Sequence, residues 1–290
     1  MKPSPFIYHR PTRLADALAL LDERPNARVL AGGQSLMAML NLRLASPDDL
    51  IDIARIPELA HIHEETDALE IGAMARQRQL EKSPLVRARL PLLARAIDHV
   101  GHQQTRNWGT IGGSLCHLDP SAEIPAAAMA YDATLTVQSV RGARRIAMRD
   151  FPLGMMTPDI AAGEMLTAIR FDTWPQKHGA GFSEFSRRHG DFAIAAGAAL
   201  VCLDGAGKIA RLSLTLAGAA ATPSRLREAE QILVGRAPDA AAVQQAVDAA
   251  AAVKAMDDPF ISSWYRNRIG AVVIRRAFES AISEAKEQQS

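Results

Sequence analysis

Two Gly-Gly pairs carry the clearest chemical spacing in this chain. The stretches "VLAGGQSLMAML", Val29 to Leu40, and "TIGGS", Thr110 to Ser114, each set two glycines behind an apolar residue with a serine close by, and Gly32 and Gly112 are 80 positions apart. Glycine permits positive φ and, without a Cβ, lets backbone approach a ligand closely. Successive N–H groups in such a turn form a concave nest for an anion. A helix starting directly behind the turn adds the positive end of its dipole. In the first stretch Gln34 and Ser35 stand where that helix would begin, and Ser35 can cap it or donate its hydroxyl to a phosphate oxygen. One such stretch is ordinarily a tight turn. Two of them suit a pyrophosphate, which takes donors from two sides.

Other chemistries fare worse. No G-x-G-x-x-G follows a strand, "DGAGK" (204–208) lacks the upstream glycine of a P-loop, and no H-E-x-x-H occurs. "HIHEE", His61 to Glu65, holds metal-ligating types but reads as a solvated loop. No nucleophile elbow is present, and the Ser, His and Asp residues carry no local triad signature. Nothing nominates this chain as the place where substrate bonds break. Two cysteines, Cys116 and Cys202, argue against a disulfide framework and against an iron–sulfur cluster held by this chain alone, which normally takes four. With 33 basic against 32 acidic residues and 5% aromatics, neither the charge nor the stacking surface for nucleic acid is there. No run of about 18 apolar residues appears, and "MKPSPFIYHRPTR" has no signal-peptide core, so a cytoplasmic protein without membrane insertion is expected.

Elements that could hold the glycine stretches follow from periodicity. Leu14, Ala17, Leu18 and Leu21 have helical spacing, stopped by Pro25; "ARVLAGG" reads as a buried strand, "QSLMAMLNLRL" as a helix and "DLIDIARI" as a second strand. The first 55 or so residues are thus α, β, α, β around a small mixed sheet. "ALEIGAMARQRQLEKSPLV" is a strand running into a helix, "LPLLARAIDHVGH" a helix ended near Gly101, and "RNWGTIGGSLCH" a Gly-rich turn and edge. "PSAEIPAAAMAYDA" is a short helix, and "TLTVQSV", "RRIAMRDFP" and "EMLTAIRFD" are strands. A break falls at "TWPQKHGAG", Thr173 to Gly181. Three antiparallel strands follow, the second pair joined by "DGAGK", and then three helices, the last capped by Ser262 or Ser263.

In these residues the chain resembles the medium, FAD-binding subunit of molybdenum hydroxylases, the group of xanthine dehydrogenases, carbon monoxide dehydrogenases and N-heterocycle oxidoreductases. The resemblance runs through "FIYHRPTRLADALALL", "ARVLAGGQSLMAMLNLRL", "LIDIARIPEL", "IGAMAR", "VGHQQTRNWGTIGGSLCHLDPSAEIPA", "GEMLTAIRF", "FSRRHGDFAIAAGAA" and "YRNRIGAVVIRRA", nearly the whole chain in order. It implies an α+β fold: a two-subdomain FAD-binding domain of the vanillyl-alcohol-oxidase type, then a C-terminal domain with a three-stranded antiparallel sheet and helices. The boundaries expected are 1–56, 57–176 and 177–290. It implies FAD between the two N-terminal subdomains. Val29, Leu30, Ala31, Gly32, Gly33, Gln34, Ser35 and Leu36 on one loop and Thr110, Ile111, Gly112, Gly113 and Ser114 on the other would hold the diphosphate and ribityl portions. Val100, Gly101 and His102 would line the cofactor, Asp119 or Glu123 would accept a hydrogen bond from one of its hydroxyls, and Leu166 would touch the flavin region. Glu123 also reads as an acid favoured at a helix N-terminus. Phe192 is open between packing near the flavin ring and core packing. One departure stands out: many members place a lysine near the start of the segment that here reads "FSEFSRR", where Glu184 cannot supply positive charge.

The resemblance further implies an electron outlet without catalytic acid–base residues or metal of its own. A large subunit with a molybdopterin cofactor would hydroxylate the substrate, and a small subunit with two [2Fe–2S] clusters would pass electrons to the flavin, the whole being a dimer of heterotrimers. An N-heteroaromatic substrate in the large subunit is expected, the alternatives being a carbon monoxide or aldehyde dehydrogenase medium subunit. A self-contained flavin oxidase and a non-enzymatic FAD sensor are the competing classes.

Overall fold

In the computed structural model, which describes residues 2–289, the strands sort into four sheets. The first unit runs β1 (Ile7–His9), α1 (Leu14–Glu23), β2 (Ala27–Leu30), α2 (Leu36–Asn41) and β3 (Asp49–Asp52). Its strands are parallel in the order β1-β3-β2, with Ile7 opposite Asp49 and Leu30 opposite Asp52. Ala17, Leu18 and Leu21 of α1 share a small core with Ile51, Ile53 and Ile56. The helical spacing of α1 was legible; β1 was not. That strand pairs on one side only and leaves Ile7 63% exposed, so no buried alternation marks it. The helix expected over "QSLMAMLNLRL" is confined to six residues.

The second unit runs β4 (Ile62–Glu64), β5 (Ala68–Gly72), α3 (Gln77–Lys82), α4 (Pro84–Arg89), α5 (Pro91–His99), α6 (Gln103–Trp108), α7 (Ile111–His117), α8 (Glu123–Ala130), β6 (Thr134–Ser139), β7 (Gly142–Ala147), β8 (Pro152–Gly154), β9 (Thr157–Pro158) and β10 (Met165–Asp172). Five strands form an antiparallel sheet, β4-β5-β10-β6-β7, while β8 and β9 pair separately. Leu92, Leu93 and Ile97 of α5 share a core with Leu69, Leu135 and Ile169 of the sheet. Two expectations are corrected here. "HIHEE" is the edge strand β4 rather than a loop, with His61 Nε2 3.1 Å from Glu70 Oε1. "RNWGTIGGSLCH" is two short helices, α6 and α7, rather than a turn and edge. Thr110 makes that possible, because its hydroxyl oxygen accepts from Gly113 N–H and caps α7 ahead of two poor helix formers.

The third unit runs β11 (His178–Phe185), β12 (Ala195–Leu203), β13 (Ile209–Ala217), β14 (Ser224–Arg225), α9 (Arg227–Leu233), α10 (Ala240–Ala251) and α11 (Ser263–Glu287). Three long antiparallel strands carry the sheet, and β14 adds a two-residue edge. Asp204 Oδ1 accepts from the N–H groups of Ala206 and Lys208, both at 2.9 Å, and closes the β12–β13 turn. Ser262 is the cap of α11, its hydroxyl accepting from Tyr265 N–H. That helix lies directly on β11 and β12: a Cβ at Gly181 would strike the Ala277 carbonyl, and one at Gly197 the Val273 carbonyl. Side chains tie this unit to the helices of the second. Ser213 Oγ donates to Ala130 O at 2.7 Å, and Arg95 on α5 forms a two-pronged pair with Glu284 on α11 at 2.8 Å.

Candidate functional site

The first glycine stretch leaves β2 and enters α2 through Gly33, whose φ of +72° lies in the left-handed region. Ser35 occupies the position before α2 with helical backbone angles, and its side chain caps nothing, so the capping role expected for it is absent. Gln34 Nε2 donates to Gly32 O at 3.1 Å. Among the described residues, none of the backbone N–H groups from Gly32 to Leu36 has an acceptor within the chain. Five donors on a partly exposed turn, at the positive end of a helix, make an anion cradle.

The second stretch has the same residue types and a different geometry. Ile111 N–H donates to Ala75 O at 3.1 Å, Gly112 N–H to Ala73 O at 2.9 Å, Gly113 N–H to Thr110 Oγ1 at 3.0 Å and Ser114 N–H to Thr110 O at 3.1 Å. Its donors at residues 111–114 are engaged within the chain and, within this stretch, only Thr110 N–H has no acceptor among the described residues, so the expectation is corrected: the two stretches are not matching nests. Gly112 is a glycine for packing: a Cβ there would lie 2.6 Å from the Ala73 Cβ. The stretch also presents the Ser114 hydroxyl, which has no partner among the described residues.

The two stretches do meet. A Cβ at Gly32 would collide with the Trp108 carbonyl and lie 2.9 Å from the Gly109 Cα, while one at Gly113 would come 3.6 Å from the Ala31 Cβ. Val29 and Leu30 belong to β2 behind the turn. Leu166, 2% exposed on β10, sits one residue before Thr167, whose carbonyl accepts from Ala73 N–H at 2.9 Å; Ala73 in turn accepts from Gly112. Leu166 therefore backs the second stretch from within the sheet.

Val100, Gly101 and His102 form the turn ahead of α6, with Gly101 at φ +44°. Arg106 pins this turn, its Nη1 donating to Val100 O at 3.0 Å and Gly101 O at 3.2 Å while its Nε meets Glu81 Oε2 at 2.9 Å. Six residues of α6, about 9 Å at 1.5 Å per residue, carry the chain from there to Trp108 and its contact with Gly32. Gly190, from the β11–β12 connection, packs on the His102 ring.

Asp119 lies between α7 and α8, and Glu123 is the first residue of α8. Asp119 Oδ1 accepts from Ser121 N–H at 2.8 Å, and Ser121 Oγ reaches across to Ala193 O at 2.8 Å. Glu123 opens α8 at 8% exposure; burial pushes its carboxyl up to about 7, Asp119 adding to the effect and its own N–H and Arg106 opposing it. Glu184 on β11 is pushed up to about 8, by burial first and by the Glu123 charge second, and its Oε2 is buried without a partner. In place of a cation, the departure from lysine puts a second acid into the field of Glu123. Phe192 is 75% exposed, which removes the core-packing reading.

Sequence reasoning overlooked Arg76 and Arg106. Arg76 Nη1 donates to Trp108 O, and its guanidinium lies 5.6 Å from the Trp108 ring centre. Neither has a local pattern, since each gains its place from residues about 20 to 30 positions away or from a neighbouring turn.

The residues fit a diphosphate-bearing cofactor: five N–H donors without acceptors among the described residues, and a second wall in contact with the first. Comparison with known proteins agrees. Residues 4–174 match the FAD binding domain in molybdopterin dehydrogenase, and residues 180–281 match the CO dehydrogenase flavoprotein C-terminal domain. The chain is 38% identical to the 6-hydroxypseudooxynicotine dehydrogenase complex subunit alpha of Paenarthrobacter nicotinovorans, covering 99% of this chain and 97% of that one. It is also 38% identical to the carbon monoxide dehydrogenase medium chain of Afipia carboxidovorans, over 99% and 100%. The structure superposes with a TM-score of 0.95 on a chain of the Hydrogenophaga pseudoflava carbon monoxide dehydrogenase that lacks the Mo-pyranopterin moiety, at 36% identity, covering 98% of this chain and 99% of that one. The glycine cradle, the three-unit fold and these full-length matches lead to one conclusion: the chain belongs to the family of FAD-binding medium subunits of molybdenum-containing dehydrogenases.

Proposed function

We propose that this chain is the electron outlet of a molybdopterin and iron–sulfur hydroxylase, receiving electrons from [2Fe–2S] clusters of a small partner subunit and delivering them to an external acceptor. The large partner holds the molybdopterin cofactor and oxidises the substrate, and the assembly is a cytoplasmic dimer of heterotrimers. The units 1–56 and 57–176 clasp FAD, and 177–290 completes the wall around Val100, Gly101 and His102. Bound FAD supplies the redox chemistry, taking electrons singly and releasing them as a pair. This chain's residues bind and orient it. The N–H groups from Gly32 to Leu36 take the diphosphate, Ser114 adds a hydroxyl from the opposite wall, and Asp119 or Glu123 accepts from a cofactor hydroxyl.

The observation that carries the reading is the run of unpartnered N–H groups at Gly32–Leu36 pressed against the second glycine stretch. An N-heteroaromatic substrate remains the favoured class, supported by the relative named for 6-hydroxypseudooxynicotine; the carbon monoxide relative matches at the same 38% and supports the alternative. Purification of the native complex, with analysis of subunits, molybdenum, iron and flavin, tests the assignment. The expected result is one FAD for each copy of this chain, with metals in the partners. A chain without flavin, or one that oxidises an organic substrate unaided, overturns it.

A further inference from the structure

Arg76 holds an unusual position between the two glycine stretches. Its backbone is bridged to Thr110, at the start of the second. Its side chain donates to the Trp108 carbonyl, the same oxygen on which the absent Cβ of Gly32 leaves the first stretch resting. The guanidinium and the cradle are therefore neighbours across one oxygen atom.

Its charge is unmatched. Nearby arginines have carboxylates: Arg78 and Arg106 share Glu81, and Arg95 has Glu284. Arg76 has no carboxylate within ion-pair distance among the described residues. Asp52 is the acid whose field reaches it, and that carboxylate is already engaged by the Tyr8 hydroxyl, by Ala54 N–H at 2.9 Å and by Arg10 Nε at 3.3 Å. Burial disfavours the Arg76 cation, and the field of Asp52 offsets that only in part. Of its five N–H donors, the recorded bond uses one, on Nη1. A partly desolvated guanidinium with spare donors, beside five unpartnered backbone N–H groups, is matched by an oxyanion carrying more than one charge.

We infer that Arg76 is the counter-cation of the cofactor diphosphate, holding it from the side opposite the Gly32–Leu36 backbone. The inference rests on the FAD reading above and completes it: the second half of the clamp is this guanidinium rather than a second backbone nest. Arg76 binds; it takes no part in electron delivery.

The test titrates FAD into the deflavinated native protein and its R76Q and R76K variants over a range of salt concentrations, following quenching of flavin fluorescence, with ADP as competitor. Folding is checked by circular dichroism. R76Q is expected to weaken FAD about tenfold or more at low salt, to flatten the salt dependence, and to lose competition by ADP. R76K keeps the charge and is expected to retain most of the salt dependence. Unchanged FAD affinity in R76Q overturns the inference. So does a loss of equal size at every salt concentration in both variants, because that reports a structural role. Should R76Q not fold, R76M takes its place: a flattened salt slope with weaker FAD binding at low salt supports the inference, and a salt slope like the wild type overturns it. If the wild-type protein binds neither FAD nor ADP, the FAD reading itself has failed, an outcome no variant is needed to see.

Discussion

Glu123→Gln isolates the energetic consequence of placing an acid at the buried start of α8. The substitution keeps the side chain's shape and removes its titration. In the native protein burial raises the carboxyl from 4.5 to about 7. The folded state therefore keeps this proton to higher pH than the unfolded chain does, and stability contributed by the protonated form is present at low pH and lost as pH rises through that window. At about 1.36 kcal/mol per pKa unit, the loss amounts to about 3 kcal/mol once pH passes 7. Urea unfolding of the deflavinated protein, repeated between about pH 5 and pH 8, reads it directly. Relative to wild type, Glu123→Gln should gain about 2–3 kcal/mol across that interval. Glu184 retains a slope of its own in the variant, because burial is the first cause of its rise. Removing the Glu123 charge relieves only the second cause. Parallel pH profiles for variant and wild type refute the reasoning, since they mean that Glu123 titrates alike in both states.

Two further substitutions separate cradle from scaffold. Gly33→Ala places a Cβ 3.2 Å from Met37 Cγ and 3.3 Å from Leu30 Cδ1, contacts that side-chain shifts can relieve, and forces an L residue to φ +72°. It should cost about 1–2 kcal/mol, leave the protein folded and weaken FAD in a fluorescence titration; full-strength FAD binding would remove Gly33 from the cradle. Glu284→Gln disturbs a carboxylate that accepts from Arg95 Nη1 and Nη2 and from Ala180 N–H, each at 2.8 Å. A loss of about 1–2 kcal/mol in urea is expected, discounted for partial exposure, and an unchanged midpoint would show the link between α5, α11 and β11 to be idle.

Legibility in the sequence followed burial. The helix α1 and the strand β12 announce themselves because each buries a patterned apolar set: Ala17, Leu18 and Leu21 at helical spacing in the one, and a nearly continuous buried run from Ala195 to Leu203 in the other. The strand β1 stayed hidden because one edge is open and Ile7 and Tyr8, on opposite faces, are both exposed, leaving its three residues without a pattern. The close seat of α11 on the sheet was equally unreadable. Gly179, Gly181 and Gly197 look like breakers within strands, and their purpose appears only when the α11 backbone is found where their side chains would be.

The candidate site shows why residue types alone underdetermine chemistry. Both Gly-Gly pairs admit close approach, and both are approached closely, by the Trp108–Gly109 backbone at Gly32 and by Ala73 at Gly112. The difference lies in where the N–H groups go. The first stretch departs a parallel strand with no neighbour to accept from it. The second is docked on residues 73–75 and capped by the Thr110 hydroxyl oxygen, so its donors at residues 111–114 are engaged within the chain. A count of glycines cannot see that distinction, because it depends on Ala73 and Ala75, more than 30 positions upstream. The same dependence on distance hid Arg76. Its importance comes from lacking a carboxylate, and a missing partner is a property of the folded chain. Under the reading proposed above, the diphosphate would meet one cation, Arg76, and one nest, the Gly32–Leu36 turn, contributed from distant parts of the chain.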